Sequence, residues 1–133
     1  MSRVSAKAAI TTKRGLLLAK EDSEYWDLPG GGIEHFEESE NALKRKLQEE
    51  VGVNIDAIAN NRLQAWATYD LEDDRPLLFL WYPVHTKTQA TTSLNPDITI
   101  GYFMKHDLKI LAIEPHLEKF RQHLIDFAPE IQR

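Results

Sequence analysis

A glycine turn followed by an acidic segment is the part of this sequence whose residue types and spacing could do chemistry. Glu37 follows Gly31 by six positions, Arg45 follows Glu37 by eight, and Glu49 and Glu50 come soon afterwards. Hard divalent cations such as Mg²⁺ and Mn²⁺ bind carboxylate and carbonyl oxygens, and they often keep phosphate oxygens as further ligands. The spacing therefore favours metal-assisted chemistry on a phosphate compound.

The adjacent glutamates are the first candidates for binding the metal. Neighbouring residues on a helix point about 100° apart, so Glu49 and Glu50 can flank an ion that lies beside the helix. An isolated pair of this kind would instead be a solvated acidic face. The glycines 30–32 also have two interpretations. They form a flexible turn, or their backbone approaches an ion and its phosphates closely because no side chain intervenes.

Three further charged residues surround this pair in the sequence. Glu37 lies near the expected helix start, where the helix dipole favours a negative charge. Arg45 precedes Glu49 by four positions, which allows an ion pair worth about 0.3–0.5 kcal/mol. Lys46 lies three positions before Glu49 and four before Glu50, so its ammonium can pair with either carboxylate and compete there with a metal ion.

The whole stretch resembles the Nudix box, G-x5-E-x7-R-E-U-x-E-E-x-G-U, in which U is a bulky aliphatic residue. The positions that fit are Gly31, Glu37, Arg45, Leu47, Glu49, Glu50, Gly52 and Val53. Lys46 stands where the box has a glutamate, which in the family is usually a metal ligand or lies close to the catalytic base. The resemblance implies Mg²⁺- or Mn²⁺-dependent hydrolysis of a pyrophosphate bond in a nucleoside diphosphate linked to another moiety. Because of Lys46, the alternative is a Nudix-fold module that binds nucleotides with weakened catalysis.

The resemblance also implies roles for individual residues. A backbone carbonyl at Gly31 would be a metal ligand beside Glu49 and Glu50. Glu37 would orient Arg45 or act in the outer shell of the metal, and Arg45 would brace the box glutamates. Several Nudix enzymes take their general base from a loop after the sheet strands. Asp97 is the candidate of this kind, and His85 is the alternative.

Candidates for binding the substrate are spread along the chain. Lys20 ends an expected strand and could hold a phosphate, as could Lys46. Tyr69 falls sixteen residues after Val53, a position at which Nudix hydrolases of dinucleoside polyphosphates often have a tyrosine. A tyrosine at a strand end is also common for packing reasons. The other aromatic residues that could stack on a base or fill the core are Trp66, Phe79 and Trp81.

The glycine turn lies between two expected strands and one expected helix. Residues Val4–Thr11 and Gly15–Lys20 predict two strands joined by a polar turn, and three consecutive leucines predict that the second strand is covered on both faces. The helix is expected to run from an N-cap at Ser39 to about Val51, with Gly52 as its stop. Its buried stripe would consist of Ala42, Leu43, Leu47 and Val51. Gly31 is expected to determine the backbone path of the turn.

The rest of the chain predicts three more strands and a closing helix. Arg62–Tyr69 and Pro76–Val84 indicate an antiparallel pair, and a strand is expected over Ile98–Met104. Apolar residues at spacings of three and four predict an amphipathic helix over Glu114–Phe127. This order predicts an α/β (α+β) fold with a mixed β-sheet between helices. The Nudix resemblance implies the same α/β/α sandwich, as a single domain of residues 1–133.

Composition limits the partners and the location. The chain has 16 Lys and Arg residues against 21 Asp and Glu, a formal charge of −5, so no nucleic-acid polymer is expected as a partner. A nucleotide-type small molecule would bind through a cation. There are no cysteines for disulfides or thiolate sites. No apolar run approaches the roughly 18 residues of a membrane span, so we expect no membrane partner and a cytoplasmic protein, either monomer or homodimer.

Overall fold

Six strands form one mixed sheet in the part of the chain that the structure describes. The computed structural model describes residues 3–51, 64–70, 75–85 and 95–130. The strands are β1 Arg3–Thr12, β2 Gly15–Glu21, β3 Gly30–Gly32, β4 Gln64–Asp70, β5 Arg75–His85 and β6 Ile98–Phe103. Their order is β4-β5-β1-β2-β6, and β3 pairs with β1. The β1–β5 pair is parallel and the other pairs are antiparallel.

The sheet divides between β1 and β2, and this division positions the candidate site. These two strands pair only next to their turn, through Thr11 with Leu16 and Thr12 with Gly15. Farther from the turn, β3 takes the place beside β1, while Ala19 of β2 forms a bridge with Asp27. A strand pair that separates in this way leaves room for a cleft between its two halves.

The helices cover both faces of the sheet. Helix α1, Ser39–Glu50, packs its buried side chains with Leu17 on one face. Leu16 and Leu18 belong to the core on the other face. That second core includes residues of three short helices, α2 Lys105–Leu108, α3 Pro115–Glu118 and α4 Arg121–Phe127. The predicted α/β/α sandwich is confirmed, as is the prediction that the leucine-rich strand is covered on both faces.

Helix α1 confirms its predicted stripe but not its predicted cap. Ala42, Leu43, Leu47 and Val51 are all buried. The N-cap is Glu38, without a side-chain capping bond, and Ser39 is the first helical residue. The prediction of Ser39 as the cap was wrong because its hydroxyl pairs with the Tyr82 hydroxyl at 2.5 Å instead of with the helix backbone. The predicted stop at Gly52 lies outside the described residues.

The closing helix is divided in two. The predicted continuous helix over Glu114–Phe127 is interrupted between α3 and α4, where Phe120 has φ −107° and ψ 10°. The Phe120 ring stacks on Trp66 of β4 at 4.4 Å between ring centres. This tertiary contact accompanies the break, and Leu117, Phe120 and Leu124 nevertheless stay buried.

The remaining predicted strands agree with the structure within a few residues. The antiparallel pair is β4 and β5, although 62–63 and 71–74 lie outside the described residues. Strand β6 ends one residue earlier than predicted, because Met104 is the N-cap of α2, which the sequence did not indicate. Within the described residues, no helix combines the length and the apolar character needed to cross a membrane.

Candidate active site

A polar cleft opens where β1 and β2 separate. Its volume is about 160 Å³, which is room for several water molecules. The residues that line it are Lys7, Ala19, Lys20, Glu21, Tyr25, Asp27, Leu28, Gly30, Glu50, Ile98 and Glu114. The division of the sheet thus brings residues of the glycine turn and the end of α1 together with residues that the sequence keeps far apart.

The three glycines expected in a turn form the short strand β3 beside β1. Gly30 determines the path of this segment, which is called the glycine turn below. Its φ is +134°, and a Cβ there would lie only 2.1 Å from the carbonyl oxygen of Ala6. Backbone oxygen cannot move aside as a flexible side chain can, so only glycine fits. The prediction that Gly31 determines the path was wrong. Gly31 has no such φ, and a Cβ there would meet the Cε of Lys46 at 2.9 Å, which is the mobile part of a long side chain.

The two candidate metal-binding glutamates have different surroundings. Glu50 is half-buried and lines the cleft, and the Gly30 N–H donates to its Oε2 at 3.4 Å. Burial raises the pKa of Glu50, while the charge of Lys7 and the Gly30 amide act in the opposite direction. The Glu49 side chain is 55% exposed, and its Oε1 lies 3.7 Å from Arg45. The structure therefore brings Glu50, but not Glu49, to the wall of the cleft.

Arg45 forms a bidentate ion pair with Glu37. Its Nε and Nη2 donate to the two carboxylate oxygens at 2.9 and 3.0 Å. These hydrogen bonds hold the pKa of Glu37 below its ordinary value of 4.5. The Glu34 N–H also donates to Glu37, at 3.1 Å. Arg45 and Glu37 thus tie the loop after β3 to the middle of α1.

The two candidate phosphate-binding lysines have different surroundings. The Lys46 stem covers Gly31, and its Nζ is 4.0 Å from Glu49 Oε2. Lys20 lines the cleft, and its Nζ lies 4.7 Å from the centre of the Trp26 ring. Lys46 therefore lies beside Gly31 and Glu49, whereas Lys20 lines the cleft.

The candidate base and the candidate aromatic platforms are not brought together with Glu50. Asp97 is exposed at a turn, where its N–H donates to the side chain of Asn95 at 2.9 Å, and it is not among the described cleft residues. The side chains of Tyr69 and His85 lie outside the described part of the chain. The residues that the structure buries in the core are Trp66, Phe79 and Trp81. Packing explains these three aromatic residues.

A comparison with known families decides the affiliation. The family model described as the NUDIX domain matches residues 1–124. The chain belongs to the Nudix family. Its fold is also that of solved Nudix structures. One is a MutT NUDIX hydrolase from Burkholderia pseudomallei, with TM-score 0.72 and 23% identity over 93% of this chain and 98% of that one.

Two further proteins are similar to this Nudix chain. The NUDIX domain of Shewanella oneidensis NrtR, solved with ADP ribose, has TM-score 0.72 and 19% identity over 92% of this chain and 86% of that one. An RNA pyrophosphohydrolase of Saccharophagus degradans is 47% identical over 47 residues, 35% of this chain and 28% of that protein. The chain spans between 25% and 35% of the length of the curated relatives that it matches.

The oxygen atoms at this Nudix site are of the kind that hard divalent ions bind. No group of three acidic, histidine or cysteine side chains with metal-binding geometry occurs among residues 3–51, 64–70, 75–85 and 95–130. Lys46 replaces a carboxylate and adds a positive charge beside Glu49. The oxygens that remain are the carboxylates of Glu49 and Glu50 and the carbonyls of the glycine turn, a chemistry that fits Mg²⁺ or Mn²⁺.

Sequence reasoning missed four charged residues of the cleft, which are Lys7, Glu21, Asp27 and Glu114. Lys7 is only 8% exposed, and its Nζ donates to Asp27 Oδ2 and to the Leu28 carbonyl, both at 3.2 Å. A lysine inside the apolar run of β1 is unusual, and this signal could have identified Lys7. Glu21 and Glu114 belong to distant segments and had no comparable signal.

The stability of the protein should fall in acid as Asp27 becomes protonated. Burial raises the pKa of Asp27, but Lys7 and His116 overcome this effect and lower it from 3.8 to about 2. Its contribution to stability is therefore present above about pH 4 and is lost as the pH falls toward 2, by about 2 kcal/mol. Chemical denaturation of the wild type and Asp27→Asn at several pH values measures this loss. The two proteins should differ in slope between pH 4 and 2, and equal slopes would contradict the assignment.

Proposed function

We propose that this protein hydrolyses a pyrophosphate bond in a nucleoside diphosphate linked to another moiety, with the help of Mg²⁺ or Mn²⁺. The observation that carries the proposal is the half-buried Glu50, which lines a polar cleft and is held by the amide of the glycine turn. A carboxylate kept in such a position beside a turn of bare backbone is suited to binding a cation and its phosphates. Membership of the Nudix family supports the same chemistry.

The residues have separate tasks in this proposal. Glu50, with Glu49 and the carbonyl of Gly31, would hold the ion, which when bound polarises the phosphoryl oxygens and stabilises the leaving phosphate. Glu37 would act outside these ligands, by holding Arg45. Arg45 would orient the box by pairing with both Glu37 and Glu49.

Hydrolysis adds one water across the P–O–P bridge. The water oxygen bonds to phosphorus, the bridging oxygen leaves with the other phosphate, and a base accepts the proton released by the water. Asp97 was the candidate base from the sequence, but its exposed position at a turn does not favour it. Glu21 and Glu114 line the cleft and are better placed for this task.

The substrate is proposed to be a small nucleotide. Lys20 would bind a phosphate in the cleft, Lys46 would bind one beside the glycine turn, and Tyr69 would contact the rest of the substrate. The net charge of −5 disfavours a long polyanion, although several curated relatives are named RNA pyrophosphohydrolases. The chain would act as a single domain of residues 1–133. Its cytoplasmic location and its state as monomer or homodimer remain sequence predictions.

A hydrolysis screen tests the proposal. The wild type is incubated with Mg²⁺ or Mn²⁺ and nucleoside triphosphates, nucleotide sugars, ADP-ribose, dinucleoside polyphosphates or a 5′-triphosphorylated RNA, and released phosphates are quantified. We expect metal-dependent cleavage of at least one small nucleotide that chelation abolishes. Cleavage of the RNA alone would contradict the substrate class. Nucleotide binding without any cleavage would instead support the binding module.

Replacing Lys46 tests how the protein uses this cation. Lys46→Glu changes the local charge by two units beside Glu49, so the added negative charge should repel a phosphate that the lysine would bind. We expect kcat/KM for the substrate found in the screen to fall by about tenfold. Lys44→Glu makes the same charge change two positions earlier on α1 and should have a smaller effect. A rise in turnover with Lys46→Glu would mean that the native chain is a weakened enzyme.

A further inference from the structure

Lys7 connects the floor of the cleft to the glycine turn. In the β1–β3 pair, Lys7 stands opposite Gly30, and the next residue, Ala8, donates its N–H to the Pro29 carbonyl at 3.0 Å. The Lys7 ammonium bonds the Asp27 carboxylate and the Leu28 carbonyl. The segment from Asp27 to Gly30 is thus held against β1 by its backbone and by a buried cation.

Asp27 extends this connection to the C-terminal part of the chain. Its Oδ1 accepts from the Leu28 N–H at 2.8 Å and lies 3.3 Å from His116 Nε2 of α3. The backbone of Trp26, one residue earlier, bonds Ala112 and Glu114 at 3.0 and 2.9 Å. His116 therefore reaches Asp27 from a segment whose backbone is already hydrogen-bonded to Trp26.

Stability alone does not explain a network of this kind, because burying charged groups costs free energy. Removing a lysine and an aspartate from water costs several kcal/mol per ion, and apolar residues of similar size often stabilise a fold as well or better. The charged groups instead add specific geometry, because each hydrogen bond fixes the position of a particular atom in the turn. The turn so fixed carries the Gly30 N–H that donates to Glu50.

We propose that Lys7, Asp27 and His116 form a positioning network that holds the turn from Leu28 to Gly30, and with it the Gly30 amide, against Glu50. None of the three needs to touch the substrate. The consequence for hydrolysis rests on the proposed function, whereas the consequence for the Gly30 amide does not. Lys7→Met keeps the length of the side chain and removes its donors, so it should loosen the turn without emptying the core.

Amide hydrogen exchange measured by NMR tests the network directly. In Lys7→Met, the Gly30 amide should exchange at least about tenfold faster, while the amides of Ala42 in α1 and Leu124 in α4 change much less. His116→Leu, at the edge of the network, should change Gly30 exchange in the same direction by a smaller factor, and it carries the test if Lys7→Met does not fold. Lys13→Met removes a lysine from the exposed β1–β2 turn and should leave the Gly30 amide unchanged.

Kinetics supply the second measurement. If the network positions Glu50, Lys7→Met should lower kcat by at least about tenfold with little change in KM, and Lys7→Met combined with His116→Leu should be non-additive. An unchanged Gly30 amide in folded Lys7→Met, or in His116→Leu where Lys7→Met does not fold, overturns the network even if hydrolysis is observed. Faster Gly30 exchange supports the network even if the wild type cleaves no substrate, in which case only the proposed function fails.

Discussion

Glu50→Gln is expected to lower both hydrolysis and divalent-metal affinity by at least about tenfold. Glutamine nearly preserves the shape of the side chain and still offers an oxygen to the Gly30 N–H, so the turn should remain in place. What disappears is the negative charge that would hold the cation in the cleft. Calorimetry with Mn²⁺ and the initial rate of cleavage of the substrate found in the screen measure the two effects.

Two other glutamates serve as references for this result. Glu49→Gln should weaken metal binding less than Glu50→Gln, because the Glu49 side chain is largely exposed and already faces Arg45 and Lys46. Glu38→Gln changes an exposed side chain that makes no capping bond with α1 and should have no effect on either measurement. Unchanged Mn²⁺ affinity in Glu50→Gln would remove Glu50 from the metal site.

Local patterns in the sequence were sufficient for the main elements of the fold. The buried stripe of α1 and the three leucines of β2 depend on periodicities of one helix and one strand, which the chain carries within a few residues. Spacing from Gly31 to Glu50 was equally sufficient to identify the family, which the match over residues 1–124 then established. These features need no knowledge of what lies across the sheet.

The cleft could not be predicted in the same way, because tertiary pairing creates it. Asp27 lies in the cleft because it forms a bridge with Ala19 at the point where β1 and β2 have separated. Glu114 comes from the C-terminal segment, and Lys7 lies on β1, the first strand in the sequence. No local pattern relates these residues to Glu50, although an interior lysine in an apolar strand was a signal that could have been used.

The errors at the helix ends have the same origin. Ser39 has the right chemistry for a cap, but Tyr82 on β5 takes its hydroxyl. The closing helix has a continuous apolar stripe, but Phe120 stacks on Trp66 of β4 where the helix breaks. In both cases a partner far away in the sequence overrides a sound local preference.

The glycine turn shows most clearly that local sequence does not reveal tertiary surroundings. Its three glycines are identical in the sequence and differ only in what surrounds them. Gly30→Ala should destabilise the protein by at least about 3 kcal/mol, since the residue combines a φ of +134° with backbone 2.1 Å from a new Cβ. Denaturation by urea measures this loss, and the Gly30 variant should also lose metal affinity because β3 can no longer lie against β1.

The two adjacent glycines are the matched controls for this prediction. Gly32→Ala should change stability little, because nothing lies within 4 Å of a Cβ there. Gly31→Ala should fall between them, since the Lys46 side chain can move aside at small cost. If Gly30→Ala were as stable as Gly32→Ala, the turn would follow a different path from the one that places the Gly30 amide on Glu50, and both the metal site and its positioning network would lose their basis.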